Sequence, residues 1–408
     1  MGAGMTSRPD PIPSSRPEVH DNHGGLMLLL SLACGLLAAN VYYAQPLAGT
    51  IAADLNMSER AAGLVVTLTQ IGYGAGLLLV VPLADRLENR RLILGLVALA
   101  GLALCLAGFT GMAGVFLAAS LAIGLGSVCV QVLVPYATHM APEERRGRTV
   151  GTVTTGLMLG IMLARPVSGF VAGAFGWRAM FWISAALMLA LILTLAARLP
   201  ARRPPHDPNA EPMLPAMARA LASMPLLRQR ILYQMALFSG FSLFWTTVPL
   251  WLSGPGWGWS HAQIGLFALA GAMSAIAAPI AGHLADHGHS RAGTAAALAS
   301  GVLAFALAGI APAGTVTGAV TLVAAALLLD LGVTLSFVIG QRTIFGLAPG
   351  NRARLNGVYM ASFTAAGAVG SAAGAWIFAT KGWGFVALLG AVLILLAGLR
   401  FSLAKERA

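Results

Sequence analysis

Two residues stand out for their chemistry: an arginine and an aspartate, each set inside a long apolar run, Arg165 and Asp330. A charge at the centre of a membrane helix costs about 3 kcal/mol on insertion scales, so such residues usually face a partner or a cavity. A buried carboxylate can take up and release a proton, and a buried guanidinium can hold an anion. The two could therefore pair and exchange, with the pair broken or protonated during a working cycle. They could also act separately, Arg165 on an anionic group and Asp330 as a titrating acid. The local alternatives are plainer. Arg165 could bond backbone carbonyls beside Pro166, and Asp330 could bond a neighbour such as Thr334.

The elements that hold these residues follow from composition. The chain has 408 residues, of which 58% are hydrophobic and only 10% charged. That is too apolar for a soluble surface and places the chain in a bilayer. An apolar run of about 20 residues crosses the hydrocarbon as a helix. Twelve such runs are predicted, near 26–50, 60–82, 92–110, 112–138, 149–173, 178–198, 229–252, 262–285, 291–311, 316–340, 355–379 and 382–402. They divide the chain into a polar tail (1–25), a six-helix half (26–199), a Pro-rich linker (200–228) and a second six-helix half (229–403). Met213–Leu227 within the linker could form a short interfacial helix.

The net charge of +11 does not indicate nucleic-acid binding, because of where it lies. With the N-terminus inside, the outer loops hold only Arg60, Arg178 and Lys381, and Arg165 lies within a helix. The remaining 21 of the 25 Lys and Arg residues fall in tails and inner loops. This positive-inside pattern sets both termini in the cytoplasm, with the plasma (inner) membrane as the expected location. Cys34, Cys105 and Cys129 lie in predicted spans without metal-ligand spacing and read as packing residues.

The two halves repeat one another. Tyr42 to Leu47 corresponds to Trp245 to Leu250, Ser58 and Gly63 to Ser260 and Gly265, and Asp85 to Asp286. Ala141-Pro142 through Arg148 corresponds to Ala348-Pro349 through Arg354, and Gly176-Trp177 to Gly382-Trp383. The ordered matches at a slowly drifting offset of roughly 200 residues indicate tandem six-helix units.

The loop after the second span carries Leu83-Ala84-Asp85-Arg86 and a basic pair, Arg90-Arg91. With two six-helix halves and a basic central loop, it resembles the major facilitator superfamily of secondary transporters over roughly residues 26–402. That family's loop motif is G-x-L-A-D-R-x-G-R-R; here Val81 and Glu88 replace its glycines, and in the second copy His287 replaces the arginine. A proton-coupling signature, an Arg before Gly124-Leu125-Gly126, has Ser120 instead. The fifth-span antiporter signature is partly met by Gly160, Pro166 and Gly169, with Arg165 in place of a glycine. The pattern is similar to the efflux-permease-like branch near the drug:proton antiporters.

That resemblance implies an all-α fold of two pseudo-symmetric six-helix bundles working by alternating access. It places the first, fourth, seventh and tenth helices around a central cavity, with Asn40, Tyr43, Gln131, Trp245 and Gln341 as lining candidates. An interfacial aromatic belt accounts equally well for the Tyr and Trp. Asp85 is expected near the start of the eleventh span, around Asn356, and Asp286 near Thr149. Arg86 and Arg90 would add ion pairs that form when the inner side closes; for Arg90 topology signalling is the simpler reading.

Enzyme chemistry has no support, since the sequence lacks H-E-x-x-H, G-x-S-x-G, a Walker loop and any Cys/His cluster. Gly72 to Gly76 lies inside a span and serves helix packing. His283, His287 and His289 read as solvated loop residues. No cofactor and no metal are expected. The partners expected are a small-molecule substrate, protons and the lipid bilayer, with the chain a monomer. The sequence ranks proton-coupled export of a small organic solute first. Proton-coupled uptake of a small solute, which Arg165 would allow to be anionic, is second, and a transport-inactive membrane sensor third.

Overall fold

In the computed structural model, residues 22–141, 146–203, 213–272, 280, 284, 289–347 and 352–403 are described. They fold as helices. Ten are long and apolar enough to cross a membrane, and a shorter apolar stretch spans Gly24–Asn40. His261–Ala272 is the start of the expected eighth span, most of whose remainder lies outside the described residues.

The first span is interrupted. Its helix Asn22–Asn40 gives way to turns before Ala48–Asp54. Pro46 has no N–H to donate, and residues 41–47 are held mainly by three-residue bonds such as Gln45 N to the Tyr42 carbonyl at 3.2 Å. This break turns Tyr42 and Gln45 onto a different face from the helix before them. The fourth span is likewise divided, into Ala113–Ser127 and Cys129–Met140. The other spans of the first half are Glu59–Leu79, Asn89–Phe109, Arg146–Phe175 and Trp177–Arg198. In the second half they are Pro225–Ser253, Ser290–Ile310, Val316–Leu347, Arg352–Lys381 and Trp383–Leu403.

Each half encloses its own apolar core, one built around Leu37, Val97 and Phe116, the other around Leu237, Phe244 and Leu329. Helix pairing repeats between the halves: first with fifth and seventh with eleventh, second with fourth and eighth with tenth, third with sixth and ninth with twelfth. The halves meet along two symmetry-related seams, second span on eleventh and fifth on eighth. In the linker, Met213–Ser223 is a helix whose Met217 and Ala220 pack with Leu227, Ile231 and Tyr359. The seventh helix starts at Pro225, earlier than the apolar run suggested, because Pro is well suited to a first helical turn.

The end of the bundle holding residues 80–89 is here called the near end, and the end holding residues 54–60 and 253–261 the far end. The far end is tightly sealed. On one seam a Cβ placed on Gly169 would lie 2.7 Å from the Gly265 Cα, so these two backbones are in contact. Thr50 and His261 hydrogen-bond across the same region at 3.2 Å. On the other seam a buried ladder of polar side chains joins the halves. Gln70 Nε2 donates to Ser242 Oγ at 3.2 Å, Thr67 Oγ1 donates to Ser371 Oγ at 3.1 Å, and Ser371 meets Thr246 Oγ1 at 3.0 Å.

Among the described residues, the near end shows no comparable tie at the loop motif. Val81–Asp85 forms a 3-10 turn. Asp85 and Arg86 are exposed, and Asp85 makes no ion pair or hydrogen bond among the described residues. Asn356, near which Asp85 was expected to dock, instead accepts a hydrogen bond from Gln341 at 2.9 Å. Arg90 donates to the Ala196 carbonyl at 2.6 Å, tying the third helix to the sixth within one half. Arg91 pairs with Glu88 at 2.9 Å. Asp286, His283 and His287 lie outside the described residues.

Candidate functional site

The interrupted first span brings Gln45 to the middle of the fifth, where Arg165 is buried with 3% of its surface exposed. Arg165 Nε donates to Gln45 Oε1 at 2.6 Å. Three aromatic faces surround the guanidinium: Tyr42 at 5.0 Å, Phe241 at 5.1 Å and Trp245 at 4.5 Å from Cζ to ring centroid. Each ring face presents negative quadrupole potential to the cation, worth about 2 kcal/mol where water is excluded. Two of these rings belong to the second half, so the cation of one half is seated on the seventh span of the other.

Asp330, buried in the tenth span, is tied into the same cluster. Its Oδ1 accepts the Trp245 indole N–H at 2.9 Å. Trp245 therefore connects the two charges, ring to guanidinium and N–H to carboxylate. Arg165 and Asp330 come together through this indole and not as a direct ion pair, and neither relies on the local partners beside Pro166 or at Thr334. Space for the arrangement comes from Gly271 on the eighth span. A Cβ there would stand 2.5 Å from Asp330 Oδ2 and 3.0 Å from Trp245 Cζ2.

The cluster is incompletely satisfied. Arg165 Nη2 and Gln45 Nε2 are buried donors without an acceptor. The bond from Arg165 Nε requires the Gln45 oxygen, which fixes the amide's orientation and leaves its NH2 directed elsewhere.

The other lining candidates scatter. Gln131 Nε2 donates to the Tyr73 hydroxyl at 2.9 Å, joining fourth and second spans. Gln341 is on the near side of the tenth span, engaged with Asn356. Asn40 and Tyr43 turn into the first half, Asn40 toward Met188 Sδ at 3.6 Å and Tyr43 beside Ser184, because they fall on the face toward the sixth span. Tyr42 takes the position at the seam. Sequence reading passed over Phe241, Gln70 and Arg230. Arg230 is 4% exposed and donates to Thr294 Oγ1 at 2.6 Å. It lies more than one turn inside a helix that begins at Pro225.

A two-lobed helical bundle with a sealed far end and a charged cluster shared by both lobes defines a membrane transporter. The family comparison agrees: the Major Facilitator Superfamily model matches residues 30–324 and 257–407, and the chain belongs to that family. It is 37% identical over 376 residues to the uncharacterized transporter YgaY of Escherichia coli O157:H7, covering 92% of this chain and 94% of that protein. It is 29% identical over 160 residues to multidrug resistance protein D of Escherichia coli K12, covering 38% of this chain and 39% of that one. Among solved structures, the nucleoside transporter NupG superposes with a TM-score of 0.74 at 16% identity, covering 95% of this chain and 100% of that one. The protein is a multi-pass membrane transporter and not an enzyme.

Proposed function

We propose that the protein is a proton-coupled secondary transporter of a small organic solute, with Asp330 as the proton site. The observation that carries this reading is the Trp245 link, 2.9 Å to Asp330 and 4.5 Å to Arg165. Loading or unloading a proton on Asp330 changes the charge beside Arg165 and the partner available to the indole. Because Arg165 belongs to one half and Trp245 and Asp330 to the other, that change acts on the contact between halves. A state difference of this kind is what a coupling ion needs in order to bias alternating access.

Two directions of coupling differ in sign. In co-transport, a proton neutralises Asp330 while an anionic solute takes over the charge of Arg165, so both cross together. In exchange, the solute displaces the proton and is exported against it. The buried donors without acceptors on Arg165 and Gln45 favour co-transport, which reverses the order reached from sequence. Exchange, which the sequence resemblance to the drug:proton antiporters implies, is the second reading, and the partial likeness to multidrug resistance protein D fits export of a solute.

The test is flux in proteoliposomes containing the full chain and a pH-sensitive dye in the lumen, challenged with a panel of organic anions and cations. Co-transport acidifies the lumen when an external anion is added, and Asp330→Asn abolishes the signal. Lumen alkalinisation would establish exchange. Binding of a panel compound with no movement of protons or solute would reject the transporter reading in favour of a sensor.

A further inference from the structure

The proposed proton coupling names no substrate, but the donors around Arg165 narrow its chemistry. Arg165 and Gln45 are 3% and 1% exposed, and their Nη2 and Nε2 atoms have no acceptor. Buried donors left unpaired are costly, and two joined side chains that each keep one can be satisfied by an acceptor that arrives from outside. The two side chains are joined through Arg165 Nε and Gln45 Oε1 at 2.6 Å.

We infer that Arg165 and Gln45 form a recognition site for the carboxylate of a small organic monoanion, the two carboxylate oxygens accepting from Nη2 and Nε2. A carboxylate, with two oxygens that can each accept, suits a pair of N–H donors better than a spherical ion does. The charge count limits the substrate to one negative charge. Among the described residues, the charged or titratable groups facing the cluster are Arg165 on the fifth span, Asp330 on the tenth and Tyr42 on the first. Trp245 and Phe241 on the seventh and Gly271 on the eighth add none. With Asp330 protonated, one anion balances Arg165; a dianion leaves an uncompensated charge in a dry site. The surroundings suit an apolar, preferably aromatic body. From Phe241 the rings continue through Phe238, stacked at 5.3 Å, to Phe363 at 4.8 Å, and Phe238 remains part-exposed.

This inference rests on the transport reading but is tested by binding alone. Purified full-length protein in nanodiscs is titrated calorimetrically with acetate, benzoate and phenylacetate, each beside its neutral amide, and with phthalate as dianion. Benzoate or phenylacetate is expected to bind, and to bind more tightly at pH 5.5 than at pH 7.5, with the amides and phthalate at least about tenfold weaker. Arg165→Lys keeps the charge but loses the fork, and is expected to weaken benzoate about tenfold or more. Asp330→Asn removes the competing carboxylate, so benzoate should bind more tightly than to the wild type and without pH dependence. The second variant decides the matter if Arg165→Lys fails to fold. Equal binding of acids and amides, no binding of any acid, or an unchanged affinity in Asp330→Asn overturns the inference, leaving water as the occupant of the donors. If Asp330-dependent proton flux with other solutes persists in that case, proton coupling stands and the carboxylate site falls.

Discussion

The far-end seam between the fifth and eighth spans offers a direct probe of conformational change. A Cβ built on Gly173 lies 3.8 Å from the Ala262 Cβ, which is the mean Cβ separation of a disulfide. Gly173→Cys with Ala262→Cys, in a background where exposed Cys105 is replaced by Ser, should therefore cross-link rapidly under mild oxidation. The bond joins the two halves at the sealed end, so transport should stop on oxidation and return on reduction. One turn away, Gly169→Ala supplies the perturbation. Its Cβ would sit 2.7 Å from the Gly265 Cα and 2.9 Å from the His261 carbonyl, backbone atoms that cannot rotate aside. Overpacking of this kind costs about 1–3 kcal/mol. The cost falls only on the state with the far end closed. The closed population relative to the open one should drop about 5- to 150-fold, and initial cross-linking should slow in proportion to the closed fraction that remains. A pair that fails to cross-link, or a cross-linked protein that transports at the full rate, would refute this seam as a moving contact.

Three further perturbations address the same machinery. Ser371→Ala removes the hydroxyl that Thr67 donates to across the seam; with membrane hydrogen bonds averaging about 0.6 kcal/mol, the closed-to-open ratio should fall about threefold and cross-linking at the 173–262 pair should slow with the closed fraction, and an unchanged rate would mean the ladder does not hold the far end. Gly271→Ala should push the Asp330 carboxylate off the indole, since the carboxylate can rotate away from the new Cβ; gradient-driven flux should fall, and thermal stability should drop by about 1.5–3 kcal/mol, the worth of the lost bond to a charged acceptor. Trp245→Phe keeps a ring beneath Arg165 and deletes the donor to Asp330, a bond worth about 1.5–3 kcal/mol to a charged acceptor. Its pH–flux profile should move, whereas a purely structural tryptophan would lower flux equally at every pH.

Much of this architecture was legible from residues alone because bilayer physics is demanding. Apolar runs give the spans, the repeated Asp85 and Asp286 turns give the duplication, and the rarity of charge within spans singles out Arg165 and Asp330. What could not be read was rotation about each helix axis. Asn40, Tyr42 and Tyr43 are neighbours in sequence, yet only Tyr42 faces the seam, and the reason is the backbone break around Pro46. Trp245 was named as a lining residue, but its role between two charges depends on which face of the seventh helix meets the fifth and tenth. Arg230 was missed because hydropathy locates the apolar run and not the helix start. The polar ladder was hidden for a simpler reason: Thr, Ser and Gln are common enough in spans that only their alignment across two halves distinguishes them.

The central claim is that the proton acts at Asp330, within a cluster that spans both halves. It is most directly tested by comparing two fluxes of the same Asp330→Asn protein in proteoliposomes, with a solute that the wild type carries. Counterflow exchange of labelled for unlabelled solute should persist, because substrate movement needs no proton cycle. Accumulation driven by an imposed pH gradient should vanish. Retention of wild-type gradient-driven accumulation by Asp330→Asn would contradict the account.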